Sequence, residues 1–112
     1  MLGYDAHVHE VRSGVSGDDL RRIREIAYEE RTRYLGTLLS RRVAYIPYRT
    51  WVDKLLSASK DGRVELLHDG GYPYLFHARG EEIKSNFATA DIEAISSLPD
   101  ATWYLVEAWD QS

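Results

Sequence analysis

The sequence predicts a single α+β domain, in which a mainly antiparallel sheet carries helices packed on one face. Several short segments alternate apolar and polar residues, as half-buried strands do. Two other segments have helical periodicity and helix-start signals. At 112 residues the chain can build one core but not two, so residues 1–112 form one domain. The expected order of elements is β-α-α-β-β-β-α-β.

The first element is a strand, predicted over residues 2–11, where apolar and polar positions alternate. Side chains at every second position of a strand share a face. Ala6 and Val8 are therefore expected to face the core, while His7 and His9 point to the other side of the sheet.

The first helix has a clear start signal. Ser16 and Asp19 form a capping-box pattern, in which each side chain bonds the other residue's backbone N–H. The apolar residues from Leu20 to Leu38 fall within one arc of about 120°. The sequence therefore predicts a helix from Ser16 to about Ser40.

A second helix is predicted from Thr50, with Asp53 three residues later, to the pair Asp61-Gly62. It is expected to bury three apolar side chains: Val52, Leu55 and Leu56.

A three-stranded meander is expected next. RVELLHD (63–69) and YPYLFHAR (72–79) flank a Gly70-Gly71 turn and together predict a β-hairpin. Gly80-Glu81 suits a second turn, which makes EEIKSNF (81–87) the third strand of the meander.

The last two elements are a short helix and a strand. Thr89 is predicted to cap the helix, which ends by Leu98 because Pro99 disfavours the α conformation in the residue before it. TWYLVEAW, at residues 102–109, predicts the final strand, which we expect to lie near the first.

Composition restricts the classes of function. With no cysteine, the chain has neither a disulfide framework nor a thiolate nucleophile. No apolar run approaches 18 residues and no signal peptide is recognisable, so we expect a cytoplasmic protein without a membrane partner. A net charge of −4 disfavours nucleic acid as a partner.

The segment DAHVHE contains the most specific motif in the chain. His7 and His9 lie two residues apart, so both imidazoles could reach one metal ion. The segment resembles the His-x-His motif on the first barrel strand of amidohydrolase-type enzymes. Such a barrel needs about 250 residues, more than this chain has. A small metal-binding enzyme that uses this strand remains an alternative, but we expect no metal and no cofactor.

Other catalytic signatures are missing from the sequence. It contains no nucleophile elbow, phosphate loop, His-Glu-x-x-His pair or dinucleotide fingerprint. Glu30 is unusual, because helical phase places it near the core side of the first helix. An ion pair with Arg31 or Arg33 would explain it without a catalytic role. We assign no catalytic residue.

Arg, Tyr and Trp are concentrated in RRVAYIPYRTW, at residues 41–51, which we expect to connect the first two helices. These residue types dominate the hot spots of protein interfaces. The predicted protein-binding residues are Arg42, Tyr45, Tyr48, Arg49 and Trp51. The alternative is that the three aromatic side chains seal the core under the connection. The tail pair Trp109-Asp110 is a second possible contact.

These observations favour a small, non-enzymatic accessory protein that binds another protein or itself, as an inhibitor, an adaptor or a self-associating subunit. Small proteins of phages and mobile elements fit this description. The main alternative is a winged-helix-like nucleic-acid-binding protein, because two helices precede a hairpin. Asp53, Asp61 and Asp69 on the second helix and hairpin disfavour that alternative.

Overall fold

A computed structural model describes residues 3–50, 52–69, 73–87 and 93–110. Within them the strands are β1 (Tyr4–Val11), β2 (Leu39–Thr50), β3 (Glu65–His68), β4 (Tyr74–Arg79) and β5 (Trp103–Asp110). The helices are α1 (Gly17–Arg21), α2 (Tyr28–Leu38), α3 (Asp53–Lys60), α4 (Gly80–Asn86) and α5 (Glu93–Ser96). A 3₁₀ turn, Arg22–Glu25, follows α1 directly.

The five strands form one antiparallel sheet in the order β2-β1-β5-β4-β3. This confirms the predicted α+β class and the mainly antiparallel sheet. The expected proximity of the first and last strands is also confirmed, because β1 pairs with β5 along its length, with Val8 opposite Val106.

Helices pack on both faces of the sheet, whereas the sequence predicted one face. A larger core, which includes Val8 and Val106, lies under α3, α4 and α5. A smaller core around Leu105 lies under α1, the 3₁₀ turn and α2. Leu105 and Val106 are adjacent on β5 and both have no exposed surface. A central strand that is covered on both faces is expected to lose its apolar–polar alternation.

The first predicted helix begins as expected but ends at Arg21, well before the predicted end near Ser40. Ser16 Oγ accepts from the Asp19 N–H at 3.2 Å, and the Asp19 carboxylate accepts from the Ser16 N–H at 3.0 Å, so the capping box is confirmed. The helix does not continue to Ser40. Ile26 is extended, α2 starts afresh at Tyr28, and β2 begins at Leu39.

Tertiary hydrogen bonds explain this break. The Tyr34 hydroxyl donates to the Asp19 carbonyl at 2.6 Å. In one unbroken helix these two residues would be about 22 Å apart along the axis, so α2 must fold back across α1. Arg24 also donates to the Leu66 and Leu67 carbonyls, which ties the 3₁₀ turn to β3.

The break also explains why Glu30 is not on the core side. α2 begins afresh at Tyr28, so Glu30 does not follow the helical phase that starts at Ser16. The side chain of Glu30 is exposed and lies 3.8 Å from the Arg33 guanidinium. The expected pairing with Arg33 is therefore confirmed, and no buried carboxylate exists at this position.

Residues 41–50 belong to strand β2, so they do not form the connecting loop that the sequence predicted between two helices. Ala44 and Ile46 are buried, and Tyr45 between them is exposed, which is the period-two pattern of a half-buried strand.

EEIKSNF forms helix α4 instead of a strand. Ile83 and Phe87, four residues apart, are both buried in the larger core. Gly80 is not in a hairpin turn. A Cβ there would lie 2.0 Å from the Pro99 carbonyl oxygen, so the glycine allows the chain to approach Pro99 closely.

The remaining predicted elements are present. α3 begins at Asp53 and not at Thr50, which belongs to β2. It ends before Asp61-Gly62 as predicted, and Gly62 has the positive φ of +82° that favours glycine after a helix. β3 and β4 pair as the predicted hairpin, and α5 ends before Pro99. The predicted Gly70-Gly71 turn and the Thr89 cap lie outside the described residues.

Candidate functional site

Two of the five predicted binding residues have described side chains. Arg42 and Tyr45 both lie on β2 and both are exposed. Tyr48 and Arg49 belong to the same strand, but their side chains are outside the described part of the structure, as is the whole of Trp51.

β2 is an edge strand. Over the described residues it pairs with β1 on one side and is the last strand of the sheet on the other. An edge strand presents unpaired backbone N–H and C=O groups on which a further strand can form. Twelve residues make β2 the longest described strand.

The predicted residues belong to a polar cluster on β1 and β2, defined by Asp5, His7, Arg42 and Tyr45. Arg42 Nη1 lies 3.1 Å from His7 Nδ1, and the guanidinium lies 5.8 Å from the centre of the Tyr45 ring. The Tyr45 hydroxyl donates to Asp5 Oδ1 at 3.2 Å, and its ring is 5.0 Å from that of His7. These contacts hold Tyr45 in place although 43% of its surface is exposed.

Hydrogen bonds, burial and nearby charges determine which protonation states of His7 and Tyr45 are favoured. A guanidinium can only donate, so His7 accepts through Nδ1 and carries its proton on Nε2. Burial lowers the pKa of His7 and the Arg42 charge lowers it further, against the opposing effect of Glu107. Burial, followed by the bond to Asp5, raises the pKa of Tyr45. The neutral forms of both side chains are therefore favoured near neutral pH.

His9 and Glu107 form a neighbouring pair between β1 and β5. Their side chains approach to 3.6 Å and both are partly exposed. Burial alone would raise the pKa of Glu107. Its contacts with His9, Trp109 and His7 more than compensate, so its pKa lies below the ordinary value.

The arrangement of His7 and His9 does not resemble a metal site. Their ring centres are 6.3 Å apart, and a positive guanidinium already occupies Nδ1 of His7. Among the described residues no group of three His, Asp or Glu side chains is placed to hold a metal ion. The absence of a bound metal stays a prediction that elemental analysis must test.

A second candidate site, which the sequence analysis missed, is a groove of about 910 Å³ between α1, the end of α3 and β3. His77 and Trp103 lie at the sheet side of this groove, with ring centres 4.5 Å apart. Arg79 lies 5.2 Å from the Trp103 ring. The wall opposite is partly apolar, with Val15 and Val64 among the lining residues.

His77 is the unusual member of this site. It is 9% exposed, and no hydrogen bond joins its imidazole to any residue in the described part of the chain. Burial lowers the pKa of His77, and Arg21 lowers it further against the effect of Glu65. A neutral imidazole carries one donor and one acceptor, and both remain available here.

No sequence motif could have identified His77. It occurs in YPYLFHAR, and the sequence predicts only that this segment is a strand. The groove depends on α1 and on the loop after α3, which are distant in sequence from β4.

Comparison with protein-family models, curated proteins and solved structures found no match to this chain. None of the described helices is both long and apolar enough to span a membrane.

Proposed function

We propose that this chain is a small, non-enzymatic accessory protein that binds another protein at edge strand β2 and at the polar cluster beside it. The observation that supports this proposal most directly is the exposed Arg42–Tyr45 pair, which His7 and Asp5 hold on the last strand of the described sheet. A tyrosine that is already held in its position loses little conformational freedom when a partner covers it.

Charge favours a second protein over a second copy of this chain. β2 contains three arginines, Arg41, Arg42 and Arg49, and no acidic residue. Pairing two copies of β2 would bring like charges together, which is destabilising across neighbouring strands. An extended acidic segment would pair with the β2 backbone and complement its charge. We place this binding activity in the cytoplasm, as the absence of cysteine suggests.

Nucleic-acid binding remains the alternative, but the position of the hairpin in the sheet gives it little support. In a winged-helix protein the hairpin projects as a wing. Here β4 lies between β3 and β5 in the sheet. A salt-dependent shift of duplex DNA at sub-micromolar protein would support this alternative and contradict the proposal.

The test compares two double variants in affinity capture from the native host, followed by titration of the purified partner. Arg42→Glu/Tyr45→Ala changes the proposed surface. Arg33→Glu/Tyr28→Ala makes the same changes on α2, at two side chains that are also exposed. We expect the β2 variant to bind at least about thirtyfold more weakly, as an interface anchor would, and the α2 variant to bind like wild type.

Three results would contradict the proposal. The first is a strictly monomeric protein that retains no partner. The second is equal binding by both double variants. The third is a stable homodimer in solution without any other partner, which light scattering would detect.

A further inference from the structure

The groove beside His77 has the features of a small-molecule site that is separate from the β2 surface. Pockets that bind small molecules have volumes of roughly 300–1,000 Å³ and combine apolar walls with a few fixed polar groups. This groove, at about 910 Å³, is within that range, and its walls include Val15, Val64 and Trp103.

The polar group at the sheet side of the groove is His77. Although His77 is only 9% exposed and forms no hydrogen bond with the described residues, none of the buried side-chain nitrogen or oxygen atoms in those residues lacks a partner, so its two ring nitrogens must reach solvent. The other described histidines all have partners: His7 meets Arg42, His9 meets Glu107 and His68 meets the Pro73 carbonyl. His77 lies against the Trp103 ring and lines the groove, so its nitrogen atoms offer one donor and one acceptor to whatever fills the groove.

The cations that line the groove differ in whether a carboxylate already pairs with them. The lining includes three cations, Arg21, Lys60 and Arg63, and one carboxylate, Glu65, in a chain whose net charge is −4. Arg21 is neutralised by a bidentate contact with Glu65, at 2.5 and 3.0 Å, and by Asp18.

Lys60 is the lining cation that is left for a ligand. Arg63 is neutralised by Asp61 and Glu82. Lys60 forms no ion pair within the described residues. An anionic group at this rim would therefore gain an attraction to Lys60 that no carboxylate among the described residues already satisfies.

We propose that this groove binds a small organic anion, with its apolar body against Val64 and Trp103, a polar atom bonded to His77 and its negative group at Lys60. The partner surface on β2 does not take part, so this site and the proposed protein binding are independent of one another.

The probe is 8-anilinonaphthalene-1-sulfonate, a fluorescent apolar ring system that carries one sulfonate. We expect saturable binding to the native protein with a dissociation constant of about 100 μM or tighter. Its uncharged counterpart, N-phenyl-1-naphthylamine, should bind at least about tenfold more weakly, because it cannot use the charge of Lys60.

Lys60→Glu should weaken binding of the sulfonate by about tenfold or more. Lys54→Glu is the matched control, since Lys54 is another exposed lysine of α3 and does not line the groove. In the wild-type protein, the imidazole ¹⁵N signals of His77 should shift during the titration, while those of His68, which lies elsewhere, should not.

The proposal is overturned if the sulfonate shows no saturable binding, or if both lysine variants bind it equally. It is also overturned if the uncharged dye binds as tightly as the sulfonate, or if the His77 signals stay fixed while the dye binds. The spectra use the unmodified protein, so a variant that fails to fold does not leave the question open.

Discussion

Three histidines on the sheet face under α1 and α2 have three different environments. His7 accepts from Arg42, His9 pairs with Glu107, and His77 lies against the Trp103 ring at the lining of the groove. These individual contacts, rather than the His-x-His spacing, decide what each imidazole can do. The proposed protein-binding surface and the proposed ligand groove therefore involve histidines on the same face of the sheet.

The first prediction concerns pH. The pKa values of His7 and His77 are lowered in the folded protein, chiefly by burial, from the ordinary value of 6.5. Below pH 6.5 the unfolded chain therefore binds more protons than the folded one. The stabilising contribution of the two neutral histidines is fully present above this pH and is lost as the pH falls. We expect the melting temperature to fall progressively from pH 7 to pH 5.

The groups that face these histidines act in both directions. Glu107 and Asp5 oppose the lowering at His7, where Arg42 and His9 assist it, and Glu65 opposes it at His77. The double variant His7→Gln/His77→Gln should show a flatter dependence over the same range, measured by thermal denaturation. A wild-type melting temperature that rises on acidification would contradict the assignment.

Among the elements, those with local signals were predictable and those set by tertiary contacts were not. The capping box at Ser16 and the Gly62 after α3 act within a few residues, so the sequence shows them directly. The break at Ile26 depends on Tyr34 reaching back to Asp19 and on Arg24 reaching β3, and these contacts exist only in the folded chain.

The sequence did not predict strand β2 or helix α4, because in both segments individual residues obscure the pattern of the true element. The charged pair at Arg41 and Arg42 and the residue Pro47 obscure the alternation of β2, although Pro is tolerated in an edge strand. For α4, Gly80 resembles a turn glycine, whereas its actual constraint is the approach of Pro99.

The two candidate sites differ in how far the sequence could predict them. Arg42 and Tyr45 could be chosen by residue type alone, and the structure places both on an exposed strand. His77 could not be chosen, because its lack of a partner follows from the packing of Trp103 and α1 around it.

The second prediction compares two glycines in helices. Gly80→Ala places a methyl group 2.0 Å from the Pro99 carbonyl oxygen, which is backbone and cannot move away easily. It should destabilise the protein by about 1–3 kcal/mol. Gly36→Ala, inside α2, meets nothing within 4 Å and should stabilise it by about 0.5–1 kcal/mol.

Urea denaturation of both variants tests this pair. Each serves as the control for the other, because both introduce the same methyl group into a helix. If Gly80→Ala is as stable as wild type, α4 does not pack against Pro99 as described.

At the scale of the whole molecule, the sheet separates two unequal cores. The core under α3, α4 and α5 contains 17 buried hydrophobic residues, and the core under α1 and α2 contains seven, within the described residues. Buried apolar area is the main stabilising contribution in folding. The layer formed by α1, the 3₁₀ turn and α2 should therefore be held less strongly than the opposite layer.

The last prediction follows from this asymmetry. Native-state amide hydrogen exchange should show that α2 opens locally, at a lower free energy than the global unfolding that releases the amides of Val8 and Val106 on the central strands. Exchange at Leu35 and Leu38 should depend only weakly on denaturant, since opening this layer exposes the smaller core. The capping box and the Tyr34–Asp19 bond stabilise the layer but bury little apolar surface. Equal protection of α2 and β5 would show instead that the two cores unfold as one unit.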